Sequence, residues 1–286
     1  MCSRGDDRHS LPRRRGVLRR ALAAVFAQET SRSFEVIALD SGSTDGTLEA
    51  LTQWPVRVIA VDRDHFDWGR LRHRLFSESR GKVVINLSQD AVPAADNWLE
   101  RLVAPLEDDG VGVSCGSSIP DPDRAYPQFA WERNGYFYFT REIRKFVARH
   151  GKGLSFANTA VRRSVWEALG IDPQATGEDF GFQMKLRAAG VDIAFPEDAP
   201  VLHHHHYTLR GLYRRCRNEG LALRQMDCAY TMRDCCADLL SPKKHVQWLR
   251  EIRHGRLRTP AEWVFPVARP LAVYMGSRFA RKMVWY

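Results

Sequence analysis

The stretch from Phe34 to Thr47, FEVIALDSGSTDGT, constrains the fold of this chain more than any other. A short apolar run ends at Asp40, and a polar turn containing glycine leads into a helix that Asp45 or Thr47 can cap. In parallel α/β sheets, ligands lie beyond the carboxyl ends of the strands. The stretch therefore predicts half of a nucleotide-binding crevice. A simple strand-to-helix turn with capping residues is the alternative interpretation.

Strand and helix signals alternate along most of the chain. The predicted strands are residues 34–39, 56–61, 82–87, 112–117 and 191–195, and the predicted helices are 14–28, 47–54, 70–80, 95–106 and 181–189. This alternation predicts an α/β fold with a doubly wound, mainly parallel sheet. We expect a disordered N-terminus over residues 1–13, a main domain over 14–207 and a basic, aromatic C-terminal helical appendage over 208–286.

The first predicted helix resembles a secretion signal only superficially. Arg19 and Arg20 interrupt its apolar run, and no clean cleavage site follows. An amphipathic helix explains the pattern better. Its predicted inward residues are Val17, Leu18, Ala21, Leu22, Val25 and Phe26. No apolar stretch approaches the length of a membrane span.

The formal net charge of +9 suits an anionic partner, such as a nucleotide sugar, a lipid phosphate, a membrane surface or nucleic acid. Solvated arginines on helix faces are the alternative. The six cysteines show no metal-ligand spacing, which favours reduced thiols in a cytoplasmic protein. The C-terminal region interleaves basic and aromatic residues, which suits either the inner face of a membrane or packing on the main domain. No recognised nucleic-acid-binding module is present, so we expect no such partner.

Carboxylates follow two further elements. Asp90 ends the segment SQDAVP after the third strand, where it can hold Mg²⁺ or Mn²⁺ against a diphosphate or simply cap a turn. Glu178 and Asp179 begin a helix, where two acids are favourable electrostatically. The functional alternative is a general base that accepts a proton from a hydroxyl nucleophile.

Four consecutive histidines occupy positions 203–206. Imidazole is a common ligand of Zn²⁺, Mn²⁺ and Fe²⁺. Alternate residues of an extended segment point the same way, so His203 and His205 can share one face. The segment predicts a metal or diphosphate contact, and a surface-exposed basic turn is the alternative.

Taken in order, these segments resemble the inverting, family 2 glycosyltransferases of GT-A fold, most of all bacterial rhamnosyltransferases that use dTDP-rhamnose. The resemblance covers roughly residues 14–220 and rests on six blocks: FEVIALDSGSTDGTLEAL, FDWGRLRH at 66–73, INLSQDAVPAADNWLERLVAPL, ANTAVRRSVWEALG, GEDFGFQMKLRAAG and VLHHHHYTLRGLYRR. It implies transfer of L-rhamnose from a nucleotide-sugar donor to a lipid-linked or polysaccharide acceptor, in a cytoplasmic enzyme that uses Mg²⁺ or Mn²⁺.

The resemblance also implies roles for single residues. Asp40, Ser41 and Asp45 would contact the nucleotide, and Arg72 would help to hold the diphosphate. Gln89 and Asp90 match the metal-binding motif, and His203 and His205 match the family's HxH. Asp179, with Glu178 beside it, matches the family's ED pair and would deprotonate the acceptor hydroxyl.

The chain departs from the family pattern in several places. The family begins with an apolar strand that helps to bind the base, and residues 1–13 supply none, so we expect either an upstream start or an incomplete site. Asp67 and Trp68 replace Asn and His of the family's FNHG, and Ser88 replaces the first acid of the metal motif. The alternatives are a hexosyl or galactofuranosyl transferase of the same fold, or a non-catalytic GT-A-like binding domain.

Overall fold

The computed structural model describes residues 11–62, 67–123, 128, 147–148, 151–173 and 176–284. The chain divides into two compact units. The first, here the α/β unit, comprises residues 1–119, 154–173 and 178–203, and the second, here the helical unit, comprises residues 120–153, 174–177 and 204–286. The disorder predicted for the N-terminus falls mostly on residues 1–10, outside the described residues, and helix α1 already begins at Leu11.

The α/β unit contains every strand and helix predicted for it, with ends shifted by three residues at most. Its strands are β1 (Val36–Asp40), β2 (Val56–Ala60), β3 (Val83–Leu87), β4 (Val92–Pro93), β5 (Val111–Cys115), β6 (Ser118–Ile119), β7 (Asn158–Arg162), β8 (Asp192–Ala194) and β9 (Val201–Leu202). Its helices are α1 (Leu11–Phe26), α2 (Thr47–Leu51), α3 (Trp68–Glu78), α4 (Trp98–Val103), α5 (Arg163–Leu169) and α6 (Glu178–Ala188), with a 3₁₀ turn at Ala104–Glu107.

The strands of this unit form three hydrogen-bonded sheets. One pairs β1 with β2 in parallel, the second has the order β3-β7-β5-β8, and the third has the order β4-β9-β6. Strand β7 runs antiparallel to both neighbours, whereas β5 and β8 are parallel. The sheets are thus more mixed than the mainly parallel sheet predicted. The chain reaches β7 through a long connection, which leaves strand direction free and gives the sequence pattern no means to predict it.

Four hydrophobic clusters lie among the described residues of the α/β unit. The largest packs Phe76 of α3, Phe182 of α6 and Phe156 against the strands of the four-stranded sheet. Another joins α1 to β1 and α2 through Leu18 and Leu22. The predicted inward face of α1 is confirmed, because five of its six residues are buried and the sixth, Phe26, packs against this cluster.

The helical unit contains α7 (Leu209–Gln225), α8 (Met232–Leu239), α9 (Pro242–Arg253) and α10 (Pro260–Phe279). Reciprocal capping boxes begin α8 at Thr231 and α10 at Thr259. Helices α7 and α10 cross at Gly220 and Gly276. A Cβ atom on Gly276 would collide with the carbonyl oxygen of Arg217, so the two backbones meet directly.

Two further features concern the whole described chain. Five cysteines fall in this part of the sequence, and each is a free thiol. No helix among the described residues is both long enough and apolar enough to cross a membrane.

Candidate active site

The turn after β1 is organised by its own carboxylates. Buried Asp40 accepts hydrogen bonds from the backbone N–H groups of Gly42 at 3.0 Å and Ser43 at 3.1 Å, and Gly42 adopts a positive φ of 86°. Buried Asp45 accepts from the backbone N–H of Thr47 at 3.1 Å and from its hydroxyl at 2.5 Å. These contacts fold the turn, but α2 begins after Gly46 without a side-chain cap, so the cap predicted from Asp45 or Thr47 is not formed. The nucleotide roles of Asp40, Asp45 and half-buried Ser41 stay predictions.

Helices α3 and α6 bring Arg72 and Glu178 together. Arg72 Nε donates to Glu178 Oε1 at 2.8 Å, and both side chains are largely buried. A second guanidinium nitrogen, Nη1, donates to Asn86 Oδ1 on β3 at 2.6 Å. The guanidinium also lies over the rings of Trp68 and Phe156, at 5.4 and 5.0 Å from their centroids. These four contacts, two hydrogen bonds and two ring contacts, fix the position of the Arg72 guanidinium.

Local sequence explains why these elements begin where they do. Asp67 caps α3 by accepting a hydrogen bond from the backbone N–H of Arg70 at 2.9 Å. Gly177, with φ of 78°, directly precedes Glu178 at the first position of α6. The cap fixes the start of α3, the helix that carries Arg72. The glycine changes the direction of the chain just before the two carboxylates at the start of α6.

The sequence pattern does not predict a role for Asn86. This residue is buried, accepts from Arg72 and donates through Nδ2 to the carbonyl oxygen of Phe156. Both ends of its amide are therefore satisfied, as a buried amide requires. The available signal was a single polar residue within the apolar strand VVINL.

Asp179 lies beside this ion pair in a charge environment that favours its protonated form. Burial and the neighbouring Glu178 carboxylate raise the Asp179 pKa to about 7, while the hydrogen bond from the Phe180 N–H and the Arg72 charge oppose the rise. The charge of Arg72 thus acts on two carboxylates, those of Glu178 and Asp179. A carboxylate with this pKa can accept a proton near neutral pH, which is the property required of a general base.

Asp90 and His203 meet because β4 and β9 pair antiparallel. Val92 lies opposite Leu202, so the residues just before β4 come beside the residues just after β9. The carboxylate Oδ1 of Asp90 lies 3.2 Å from Nε2 of His203. The backbone N–H of His203 donates to the Ile119 carbonyl at 2.9 Å, which fixes the end of β9. Carboxylate oxygen and imidazole nitrogen are both ligands that Mn²⁺ accepts.

The remaining histidines alternate in side, as the sequence predicts for an extended segment. His204 and His206 contact each other, with ring centroids 5.4 Å apart, and His205 stacks on Tyr207 at 5.5 Å. His204 is buried and its Nδ1 accepts from the backbone N–H of Asp121, which is a structural contact. The grouping of His205 with His203 as metal ligands, and the donor contact of Gln89, stay predictions.

Asn158 is a second buried amide that the sequence analysis did not single out. Its Nδ2 donates to the carbonyl oxygens of Ala199 at 2.9 Å and Ser117 at 3.1 Å, and its Oδ1 accepts from Trp98 Nε1 at 3.1 Å. Gly116 lies so close that a Cβ atom there would collide with the Asn158 side chain. This junction ties the ends of β5 and β7 to the chain before β9, the strand that directly precedes His203.

Comparison with solved structures defines the class of this fold. A mannosyltransferase from Pyrobaculum calidifontis, solved with GDP-Man and Mn²⁺, superposes with a TM-score of 0.64 at 16% identity, over 98% of this chain and 86% of that one. Glucosyl-3-phosphoglycerate synthase from Mycobacterium tuberculosis gives a TM-score of 0.56 at 18% identity, over 74% of this chain and 75% of that one. The predicted GT-A fold is confirmed.

The family follows from sequence. The model of glycosyl transferase family 2 matches residues 13–170, more than half of the chain. The chain belongs to glycosyl transferase family 2.

Two curated relatives are O-antigen chain rhamnosyltransferases. WbaN of Salmonella anatum is 32% identical over 205 residues, and RfbN of Salmonella typhimurium is 30% identical over 204 residues. Each match covers 68% of this chain but only 64% of the relative. The resemblance to rhamnosyltransferases stated from the sequence is confirmed.

Proposed function

We propose that this chain is an inverting glycosyltransferase that moves L-rhamnose from dTDP-rhamnose to a lipid-linked or polysaccharide acceptor. The observation that carries the proposal is the cluster of Arg72, Glu178 and Asp179, in which one cation faces two acids. The rhamnosyltransferase relatives support the choice of sugar. The reaction is a single displacement, so the configuration at the anomeric carbon inverts.

Asp179 acts as the base in this proposal. Its carboxylate accepts the proton of the acceptor hydroxyl while the hydroxyl oxygen forms a bond to the anomeric carbon. The bond from that carbon to the diphosphate oxygen breaks, and its electron pair leaves with the nucleoside diphosphate. Arg72, which donates a second hydrogen bond to Asn86, holds Glu178 and so keeps the first turn of α6 and Asp179 in place.

The residues around Asp90 fit a divalent cation. Asp90 and His203 place one carboxylate oxygen and one imidazole nitrogen 3.2 Å apart, and His205 is the third proposed ligand. When bound, Mg²⁺ or Mn²⁺ neutralises charge on the departing diphosphate. Asp40, Ser41, Asp45 and Gln89 are proposed to contact the nucleotide sugar, and Arg72 is proposed to position the acidic pair beside the diphosphate.

The acceptor, the location and the whole activity are part of the same proposal. A lipid-linked glycan intermediate requires an enzyme at the inner face of the cell membrane, and we place the chain there, in the cytoplasm. The O-antigen relatives favour this acceptor class.

Binding of the donor provides the first test. We expect dTDP-rhamnose to bind in calorimetry only when Mg²⁺ or Mn²⁺ is present, and Asp90→Ala to abolish the metal-dependent component. Asp198→Ala, which removes an exposed carboxylate on the same unit, is the matched control and should bind as wild type does. GDP-mannose and UDP-sugars serve as competing donors.

The outcomes separate the alternatives. Preferential metal-dependent binding of a UDP-sugar or GDP-mannose would reject rhamnose and leave a hexosyl or galactofuranosyl transferase of the same fold. Donor binding without release of nucleotide in the presence of lipid-linked glycan acceptors would indicate a binding domain that transfers nothing. Absence of binding to every donor would overturn the proposal for this chain.

A further inference from the structure

The last long helix of the helical unit is apolar on its exposed face as well as on its buried face. Helix α10 buries Phe265, Ala272 and Val273 together with the polar Glu262, Arg269 and Ser277. Its outward face carries Val264, Val267, Leu271 and Met275, here the α10 stripe, each with 40–50% of its surface exposed. A surface helix normally buries its apolar residues and exposes its charges. The apolar residues on the exposed face therefore require an explanation outside the packing of the unit.

The α10 stripe is one continuous row. Its members are spaced by three, four and four residues, which places them on one helix face over about 17 Å. Trp263 and Phe279 extend the exposed apolar surface toward either end of the helix. Scattered exposed apolar residues need no explanation, but a contiguous row usually marks a docking surface.

The surface charge of the same segment has a single sign. Residues 242–284 are all described and contain two acids, Glu251 and Glu262, both of which are buried. Eight basic side chains of the segment are exposed: Lys243, Arg250, Arg253, Arg256, Arg258, Arg278, Arg281 and Lys282. The exposed charge of the segment that contains the apolar row is therefore entirely basic, and its complement is anionic.

Helix α9 repeats the combination on a smaller scale. Val246 and Leu249 are exposed beside Lys243, Arg250 and Arg253 on the same helix. Apolar residues interleaved with cations are typical of helices that lie in the interface of an anionic bilayer. The apolar side chains enter the acyl boundary while the cations stay among the lipid phosphates.

We infer that the α10 stripe and the basic residues around it dock the chain on an anionic lipid surface, with α10 lying in the plane of the interface. A second copy of the chain suits this surface poorly. A two-fold symmetric contact would bring two copies of the same basic segment together and offer neither an anionic complement. The inference stands on the helical unit alone and does not depend on the proposed transferase activity.

Flotation of the full chain with vesicles tests this inference. We expect binding to phosphatidylcholine vesicles that contain phosphatidylglycerol to exceed binding to phosphatidylcholine alone by about tenfold or more, and to fall at high salt. Leu271→Gln combined with Met275→Gln should weaken binding by about tenfold or more, because two apolar side chains no longer enter the lipid. Leu48→Gln, an exposed apolar position on α2 of the other unit, should leave binding unchanged.

A second variant separates charge from apolar contact. Arg250→Gln combined with Arg253→Gln should reduce the preference for phosphatidylglycerol by about tenfold, because two of the eight exposed cations are lost. The thermal unfolding midpoint should not change, because both side chains are exposed. Equal binding to both vesicles, or unaltered binding by the Leu271 and Met275 double variant, would overturn the inference. A dimer in sedimentation that this double variant dissociates would assign the stripe to a second copy instead.

Discussion

Both units of the molecule bury charged side chains, but they arrange them differently. In the described part of the helical unit, the two buried cations both lie beside acids: Arg269 Nη2 is 2.5 Å from Glu219, and Lys244 Nζ is 2.6 Å from Asp238. The charges in such pairs neutralise each other, and their main effect is to fix how the helices pack.

The α/β unit departs from that balance at the start of α6. There Arg72 faces both Glu178 and Asp179, and the surplus negative charge, together with burial, raises the Asp179 pKa to about 7. A buried charge is therefore not in itself a sign of function. An imbalance that keeps a proton exchangeable near neutral pH is a more specific one. Three substitutions test this comparison.

The largest effect is expected for Asp179→Asn. Loss of the base should lower kcat for sugar transfer by about 10²–10⁴-fold. Folding raises the Asp179 pKa, so this carboxyl loses stabilisation as the pH rises through about 7. An asparagine side chain at this position does not ionise, so it loses no stabilisation in this pH range. The variant should therefore be at least as stable as wild type at pH 8 in urea unfolding. Reduced stability together with an unchanged transfer rate would show that Asp179 has a structural role and is not the base.

Arg269→Met tests the opposite side of the comparison. It leaves Glu219 without its buried partner and should lower the free energy of unfolding by about 1–3 kcal/mol, because a buried charge is left uncompensated. The transfer rate per folded molecule should not change. Arg32→Met removes an exposed pair with Glu100 and should cost less than about 1 kcal/mol. A transfer rate that falls in Arg269→Met at full stability would contradict a purely structural role.

The smallest effect is expected for Glu178→Gln, which keeps an oxygen that can accept from Arg72 and therefore changes the pH dependence more than the rate. The Glu178 charge raises the Asp179 pKa, so its removal should move the rising limb of the profile of kcat/KM against pH to lower pH. The Arg72 charge also lowers the Asp179 pKa, and it is no longer neutralised by a Glu178 carboxylate in this variant. A limb that stays in place or moves to higher pH would show that Asp179 is not the titrating group.

Much of the α/β unit could be predicted from the sequence because its signals are local. Apolar runs, glycine turns and caps placed β1, β3, α3 and α6 within a few residues of their observed ends. The partner of Arg72 could not be predicted. Glu178 lies 106 residues further along the chain, and only the packing of α3 against α6 and β3 brings the two together.

The sequence also does not reveal which face of a helix remains exposed in the folded protein. The segment after Tyr207 was predicted as helical, basic and aromatic, with two interpretations left open. Its periodicity does not say which side of α10 is covered by a neighbour. That side is set by Gly220 and Gly276, which permit α7 to approach only one face.

The glycine contact has a consequence for mutational study of α10. Rotation of α10 about its axis would replace Gly276 at the crossing with a residue that has a side chain, and this side chain would meet the Arg217 carbonyl. The two glycines therefore fix the rotation of α10 about its own axis. Substitutions on its outward face cannot be absorbed by rotation, so a library varied at Val264, Val267, Leu271 and Met275 would report surface chemistry with the backbone held constant.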